Sequence, residues 1–518
     1  MKKLVAVIVF TIIPYLSFAQ SPQFEDEIAR FEDDTEHTMK CMKALEVFRT
    51  EFQNAPTNPY VILYFGRAFD RVASTGRFCD VPDSLFMKYA DSAMLCYRLA
   101  DKLQPGIRDK KFGFSMPVLI GHVFGGRCLW YLERGKYDQA RQELVRGMNE
   151  GGYTPAQIEI CRLMLDFCDS NAIFFTAGDD DTFPAMYLQM VEGYRTDVTL
   201  MNTSLACMSW YPKLFLHKKN KAFEPGFAPV EMNMTASEMD STETVVTKNI
   251  LPDRLYTDVD PKTRNRIHKE LGIDVADKAE ICFPVYQEYG NGQYYTYGVH
   301  KVIASILLAN KWKRHVYFGA GGLESFLNCT HVAIRDGAIV EELYPINLGQ
   351  VGHFKKGERW YHSEKMKKIF LQDAQMDKFA SDQPSSSAVK MVYNGLVECL
   401  LALNDGDKSA EQAIRRLLSI PHKYLEGYED TRFTCARIMY DKGFREEAKR
   451  ECNELLPSLQ KQISGSKTSF DDNDGNYVVA LSISGRCSEA IEFINSFEIP
   501  VKTKEGFLKE ISARFGCN

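Results

Sequence analysis

The chain has 518 residues, 45% of them hydrophobic and 25% charged, with a formal net charge of −6. That length exceeds one ordinary core and predicts several domains. The composition is that of a globular protein, and the mildly negative balance excludes the basic footprint of a nucleic-acid binder or of a protein held to an anionic membrane.

At the amino terminus, Lys2-Lys3 precede an apolar run from Leu4 to Leu16, and Ser17-Phe18-Ala19 puts small residues where a signal peptidase reads. This predicts a signal peptide over residues 1–19. No cysteine follows the cut to carry a lipid, and no later run reaches the roughly 18 apolar residues that span a bilayer. The mature chain is therefore expected to be periplasmic or secreted, with no transmembrane segment after cleavage. Export permits disulfides among the 14 cysteines. Cys96, Cys128, Cys399 and Cys435 nevertheless fall inside apolar helical patterns and read as small core hydrophobes. Cys161 and Cys168 share one helix face about 10 Å apart, too far to bridge each other.

Residues 20–170 are helical in pattern. Met42, Leu45, Phe48 and Phe52 recur at helical spacing, as do Met87, Ala90, Met94 and Tyr97. Gly135, Tyr137 and Ala140 stand at the offsets of the inter-helix glycine, the aromatic and the small contact residue of a tetratricopeptide repeat, with Tyr131 at the end of its first helix. This predicts an N-terminal domain of degenerate helical repeats.

Residues 171–350 change character. Ala172 to Thr176 is the short apolar run of a buried parallel strand. Gly178 breaks it, and Asp179, Asp180 and Asp181 follow. Thr182 reads as the cap of a helix with Pro184 in its first turn and Met186, Tyr187, Met190 and Val191 on its buried face. Gly193 stops that helix, Arg195-Thr196-Asp197 orders a turn, and Asp197 to Asn202 is a second strand. Together they make a βαβ unit with a parallel, right-handed crossover. A helix through Leu216 and a poorly patterned segment, 219–260, come next. They lead to a strand at Ile281–Tyr286, a hairpin at Tyr289–Tyr297 turning on Asn291-Gly292, and a helix at Val299–Ala309 that runs into Asn310 to Phe318. Gly319 to Glu324 reads as a tight turn, since Glu324 stands where a dinucleotide fingerprint needs its third glycine.

Residues 351–518 return to helices after a soft linker at Ser381–Ser387. Gly443 with Ala448, and Gly485 with Ala490, repeat the five-residue offset, with Cys487 in the position of Tyr137. Asp471 to Gly475 reads as a solvated turn, because a calcium loop in that register would begin at Phe470. The predicted class is α/β plus all-α: a Rossmann-like parallel-sheet domain between two tetratricopeptide-like helical domains.

Open parallel sheets bind ligands past the carboxyl ends of their strands. Asp179, Asp180, Asp181, Thr182, Asn202 and Ser204 fall there, and Arg314 is a candidate partner for the carboxylates. Such a carboxylate cluster suits hydroxyl-rich or cationic ligands, or a divalent metal, and repels phosphate, while acidic residues also stabilise a helix N-terminus unaided. No HExxH, CxxC, GxSxG or phosphate-loop motif occurs. No catalytic residue, metal ligand or cofactor is assigned. Trp210 and Trp312 suit either a sugar or the core, with the core favoured.

Phe175-Thr176, Gly178-Asp179, Asp181-Thr182-Phe183-Pro184, Tyr187-Leu188-Gln189, Glu192 to Val198 and Trp210-Tyr211 match, in order, a motif of known proteins. The stretch resembles the soluble C-terminal region of multi-pass membrane glycosyltransferases related to protein O-mannosyltransferases. It departs at Asp180 (Asn in the family), Ala185-Met186 (Leu-Trp) and Ser209 (Asp). A second block, Asn310 to Phe318, resembles the family with His315 in place of its Pro, so the likeness covers about 171–350. In that family the sugar transfer belongs to the membrane-embedded part, which has no counterpart here. The resemblance implies an exported, non-catalytic accessory or scaffold protein of the bacterial cell envelope. Its helical repeats would hold a protein partner, and its sheet edge a glycan or acceptor polypeptide. The alternative is a glycan-active enzyme, glycosyltransferase- or hydrolase-like, using Asp179–Asp181.

Overall fold

The computed structural model describes residues 38–75, 83–110, 113–206, 208–216, 228–234, 254–282, 298–319, 332–337, 340–347, 429–463 and 468–517, with short pieces at 286–287, 294–295, 360–361, 365, 368–369 and 378. The expected signal peptide, Cys399, the Asn291-Gly292 turn and the 381–387 linker lie outside them. The chain divides into two compact units, one of Met1–Trp130 with Asn149–Gly152 and one of Tyr131–Met148 with Tyr153–Asn518.

The first unit holds α1 (Thr38–Asn54), α2 (Pro59–Thr75), α3 (Asp83–Leu103) and most of α4 (Met116–Glu133). The apolar periodicity places its core: Leu45, Phe48 and Tyr97 are fully buried, and Met42 and Phe52 pack on the Leu45–Phe48 cluster. Asn58 starts α2 by accepting from the Tyr60 and Val61 N–H groups, with Pro59 in the first helical position. Helix α2 comes close to α3 at Gly66, where a Cβ would lie 2.8 Å from Cys96 Cβ.

In the second unit, α5 (Tyr137–Asn149) and α6 (Pro155–Phe167) precede β1 (Ile173–Thr176), α7 (Asp179–Met190), β2 (Thr199–Asn202) and the short α8 (Trp210–Lys213). Then come β3 (Arg254–Asp258), α9 (Pro261–Leu271), β4 (Lys278–Cys282), β5 (Tyr286–Gln287), β6 (Tyr294–Tyr295) and α10 (Gly298–Asn310). β7 (Val316–Gly319), β8 (Val332–Gly337), β9 (Val340–Asn347) and β10 (Trp360–Tyr361) follow. The main sheet is mixed, in the order β10-β8-β9-β7-β1-β2. β1 is parallel to both β2 and β7, while β9 runs antiparallel to β7 and β8. Every residue of β1, β2 and β7 is buried, which is why these strands read as continuous apolar runs.

The strand expected at Ile281–Tyr286 is displaced. β4 ends at Cys282 and pairs antiparallel with β3 in a separate two-stranded sheet. Its physical signature is alternation: Ala279, Ile281 and Thr257 are buried while Tyr256 is 57% exposed, so this sheet covers one face only. β5 and β6 form a further antiparallel pair; β6 falls inside the expected hairpin, whereas β5 lies ahead of its expected start at Tyr289.

The carboxyl-terminal helices are α11 (Glu429–Asp441), α12 (Arg445–Gln462), α13 (Asp472–Ile483), α14 (Cys487–Asn495) and α15 (Val501–Phe515). Gly135, Gly443 and Gly485 each adopt positive φ between two helices, and Ala140, Ala448 and Ala490, five residues on, are wholly buried. Asp471 to Gly475 is not a solvated turn but the start of α13. Asp471 accepts from the Asn473 and Asp474 N–H groups, and buried Asp474 accepts from the Asp471 N–H. A disulfide joins Cys487 to Cys517. Cys128, Cys161, Cys168, Cys435 and Cys452 are buried free thiols, and Cys96 is half-buried.

Candidate functional site

The chain leaves β1 toward β2 on one side, whereas β7 takes the place on β1's other side after a long excursion. The crevice between the carboxyl ends of β1 and β7 is therefore the point where the connections diverge, the usual ligand position in open α/β sheets. Asp181 sits there. Its Oδ1 accepts from the Gly178 N–H at 2.8 Å and its Oδ2 from the Ala177 N–H at 2.9 Å. This is half of a capping box, since Gly178, the residue before the helix, has no side chain to return the bond. On the far side, a Cβ on Gly319 at the end of β7 would lie 2.9 Å from Asp181 Oδ2. Burial pushes the Asp181 carboxyl up to about 6, against the two backbone N–H groups that favour its ionised form.

Thr182 is not the cap that the sequence suggests. It lies one turn into α7, and its hydroxyl meets Gly178 O, Thr176 Oγ1 at 2.7 Å and Asn202 Nδ2 at 2.7 Å. Asn202, 2% exposed, also accepts from the Leu205 N–H at 2.8 Å. Asp180 Oδ1 accepts from Gln157 Nε2 at 3.1 Å, and Gln157 in turn completes the capping box of Thr154 at the start of α6. Pro184 lies inside α7 and has no N–H for the Asp180 carbonyl four residues back; Cys161 Sγ approaches that carbonyl at 3.6 Å instead. Asp179 and Ser204 are the exposed members of the set, with the Ser204 hydroxyl on Ala177 O at 3.3 Å.

Six of the seven candidate residues thus gather at one edge, and Arg314 does not join them. It precedes β7, at the amino edge of the same parallel strands. There its guanidinium donates to Asn171 O at 2.6 Å, Pro229 O at 2.9 Å, Ala172 O at 3.0 Å and Thr199 Oγ1 at 2.6 Å. Arg195 does similar work beside it, donating to Leu165 O, Cys168 O and Asp197, as the turn-ordering reading requires. Trp312 is a core residue, 2% exposed, with Nε1 on Thr257 Oγ1 at 2.7 Å.

The amino edge also holds a cluster that the sequence did not reveal. His315 Nδ1 lies 2.5 Å from Glu342 Oε1 on β9 and 3.3 Å from Asp169 Oδ2. Asp169 accepts from Tyr317 O–H at 2.6 Å and from Lys365 Nζ at 2.8 Å. Burial alone would raise the Asp169 pKa, but Lys365, Tyr317 and His315 outweigh it and hold the carboxyl below its usual range. Ligand-type atoms of Asp169, His315 and Glu342 lie within 4.8 Å of one another. They are not metal ligands in this arrangement. Lys365 already neutralises Asp169, and Arg266 Nη1, 2.6 Å from His315 Nε2, puts the ring proton on Nδ1, the atom a metal would need. The one advance signal was His315 itself, in a position where the resembling family has Pro.

Residues 158–270 match the family model described as TMEM260-associated domain 2. The matched region runs from α6 through β1, α7, β2 and β3 into α9, and so includes the aspartate turn but not β7. Comparison with curated proteins and with solved structures gives no match.

Proposed function

We propose that this chain is an exported, non-catalytic accessory or scaffold protein of the bacterial cell envelope. Its tetratricopeptide-like helical hairpins would hold a protein partner, and the carboxyl edge of its Rossmann-like sheet would take a glycan or acceptor polypeptide. The observation that carries the non-catalytic reading is how far the aspartate turn is committed to structure. Asp181 closes on two backbone N–H groups, Asp180 on Gln157, and Thr182 and Asn202 on each other. Asp179 and Ser204 are the exposed members of the set, and a hydroxyl-rich ligand at this edge would meet them first. The Cys487–Cys517 disulfide supports maturation in an oxidising compartment. No helix among the described residues is long and apolar enough to cross a membrane. TMEM260, namesake of the matched domain, is an O-mannosyltransferase-related protein, which supports the link to glycosylation.

A glycan array with the mature protein, beside Asp179→Ala and Ser204→Ala, tests the reading. Sugar binding weakened by either substitution supports it; purified protein that transfers or cleaves sugar unaided overturns it. One observation favours the enzyme alternative: burial pushes the Asp181 carboxyl to about 6, within the range of a general acid. Asp181→Asn would abolish any such activity.

A further inference from the structure

The amino-edge cluster has a second property, separate from the proposed ligand edge. We propose that His315 is a proton-operated link between helix α9 and the main sheet, in which a second proton on the imidazole ring releases Arg266. Arg266, on α9, can only donate, so His315 Nε2 accepts from it at 2.6 Å and Nδ1–H donates to Glu342. A ring protonated on both nitrogens turns Nε2 into a donor of the same charge as the guanidinium it faces. That contact cannot persist.

The surroundings set the balance. Two carboxylates face the ring, Glu342 from β9 at 2.5 Å and Asp169 from the turn before β1 at 3.3 Å. Two cations stand with them, Arg266 at 2.6 Å from Nε2 and Lys365, held 2.8 Å from Asp169. Tyr317 stacks beside the ring with centroids 6.2 Å apart, its O–H committed to Asp169. The ring is partly open, its side chain 17% exposed, so protons reach it. Without Arg266, α9 keeps the Thr263 hydroxyl on Trp312 O at 2.8 Å and the buried Ile267. The link loosens, while the His315–Glu342 bond becomes an ion pair.

Hydrogen exchange of the α9 amides in the full mature chain, corrected for intrinsic rates, reads this from about pH 7.5 to about pH 5, where imidazoles gain their second proton. The expected result is a fall in protection of about tenfold, the scale of one hydrogen bond to a charged group. His315→Gln offers Arg266 a side-chain carbonyl that gains no proton, so its protection stays flat. Arg266→Met gives low protection at both ends, with no step. A flat profile in the unsubstituted protein, or an equal step in His315→Gln or in Arg266→Met, overturns the proposal.

Discussion

Asp181 and Gly319 share one space. A Cβ at residue 319 would stand 2.9 Å from the Asp181 carboxylate, so the end of β7 can reach the turn after β1 only as glycine. Gly319→Ala should therefore destabilise the protein by about 1–3 kcal/mol, as overpacking does. In an Asp181→Ala background the same change should cost less, because the obstructing oxygen is gone. Urea unfolding of the four members of this cycle checks it, and strict additivity would refute the contact.

Asp181 also predicts a pH dependence. Its carboxyl, about 6 in the folded chain, lies above its ordinary 3.8, so between those values the folded state binds more protons than the unfolded state. Stability should fall as pH rises through that window, by on the order of 3 kcal/mol at most for this group. Asp181→Asn should remove the falling limb, measured as melting temperature from pH 4 to 7.

Arg314 serves four acceptors with one planar group. Lysine cannot reproduce that fork. Arg314→Lys should cost about 2–4 kcal/mol in urea unfolding. It should leave sugar binding at the Asp179–Ser204 edge unchanged, since the two lie at opposite ends of the parallel strands.

The Cys487–Cys517 bond closes a loop of 30 residues around α14 and α15. Chain-entropy arguments give it about 3–4 kcal/mol. Cys487→Ser with Cys517→Ser should lower stability on that scale under oxidising conditions, and reductant should bring the parent protein to the same level. Equal melting of the two without reductant would refute it.

What the sequence made legible was local. The β1–α7–β2 unit was readable because each strand is a short run buried on both faces and the crossover between them is short. Even there the cap was misplaced: Thr182 looked like a capping residue, but Gly178 precedes the helix and Asp181 supplies the carboxylate. Arg314 reads from the sequence as a candidate partner for the carboxylates, but the direction of β7 puts it on Asn171 and Ala172 at the other edge. A residue that precedes a parallel strand lies at the opposite end from residues that follow its neighbour. The Asp169–His315–Glu342 cluster was invisible, since its members come from three separate segments and meet only through sheet register. Cys487 likewise read as a stand-in for Tyr137, with nothing in the helical pattern to announce Cys517.

The order of the strands has a bearing on how the molecule is assembled. Residues flanking β1 and β2 meet across 26 positions, whereas those flanking β1 and β7 meet across 143, a closure costing about 1.5 kcal/mol more in chain entropy. The first pair can nucleate while the third strand is still distant. Until Gly319 arrives, the Asp181 carboxylate stays hydrated and acidic, so the half-built sheet carries a full negative charge at the seam where β7 must dock. Lowering the pH toward the ordinary carboxyl value of 3.8, where that charge is neutralised before docking, should speed the last step of refolding.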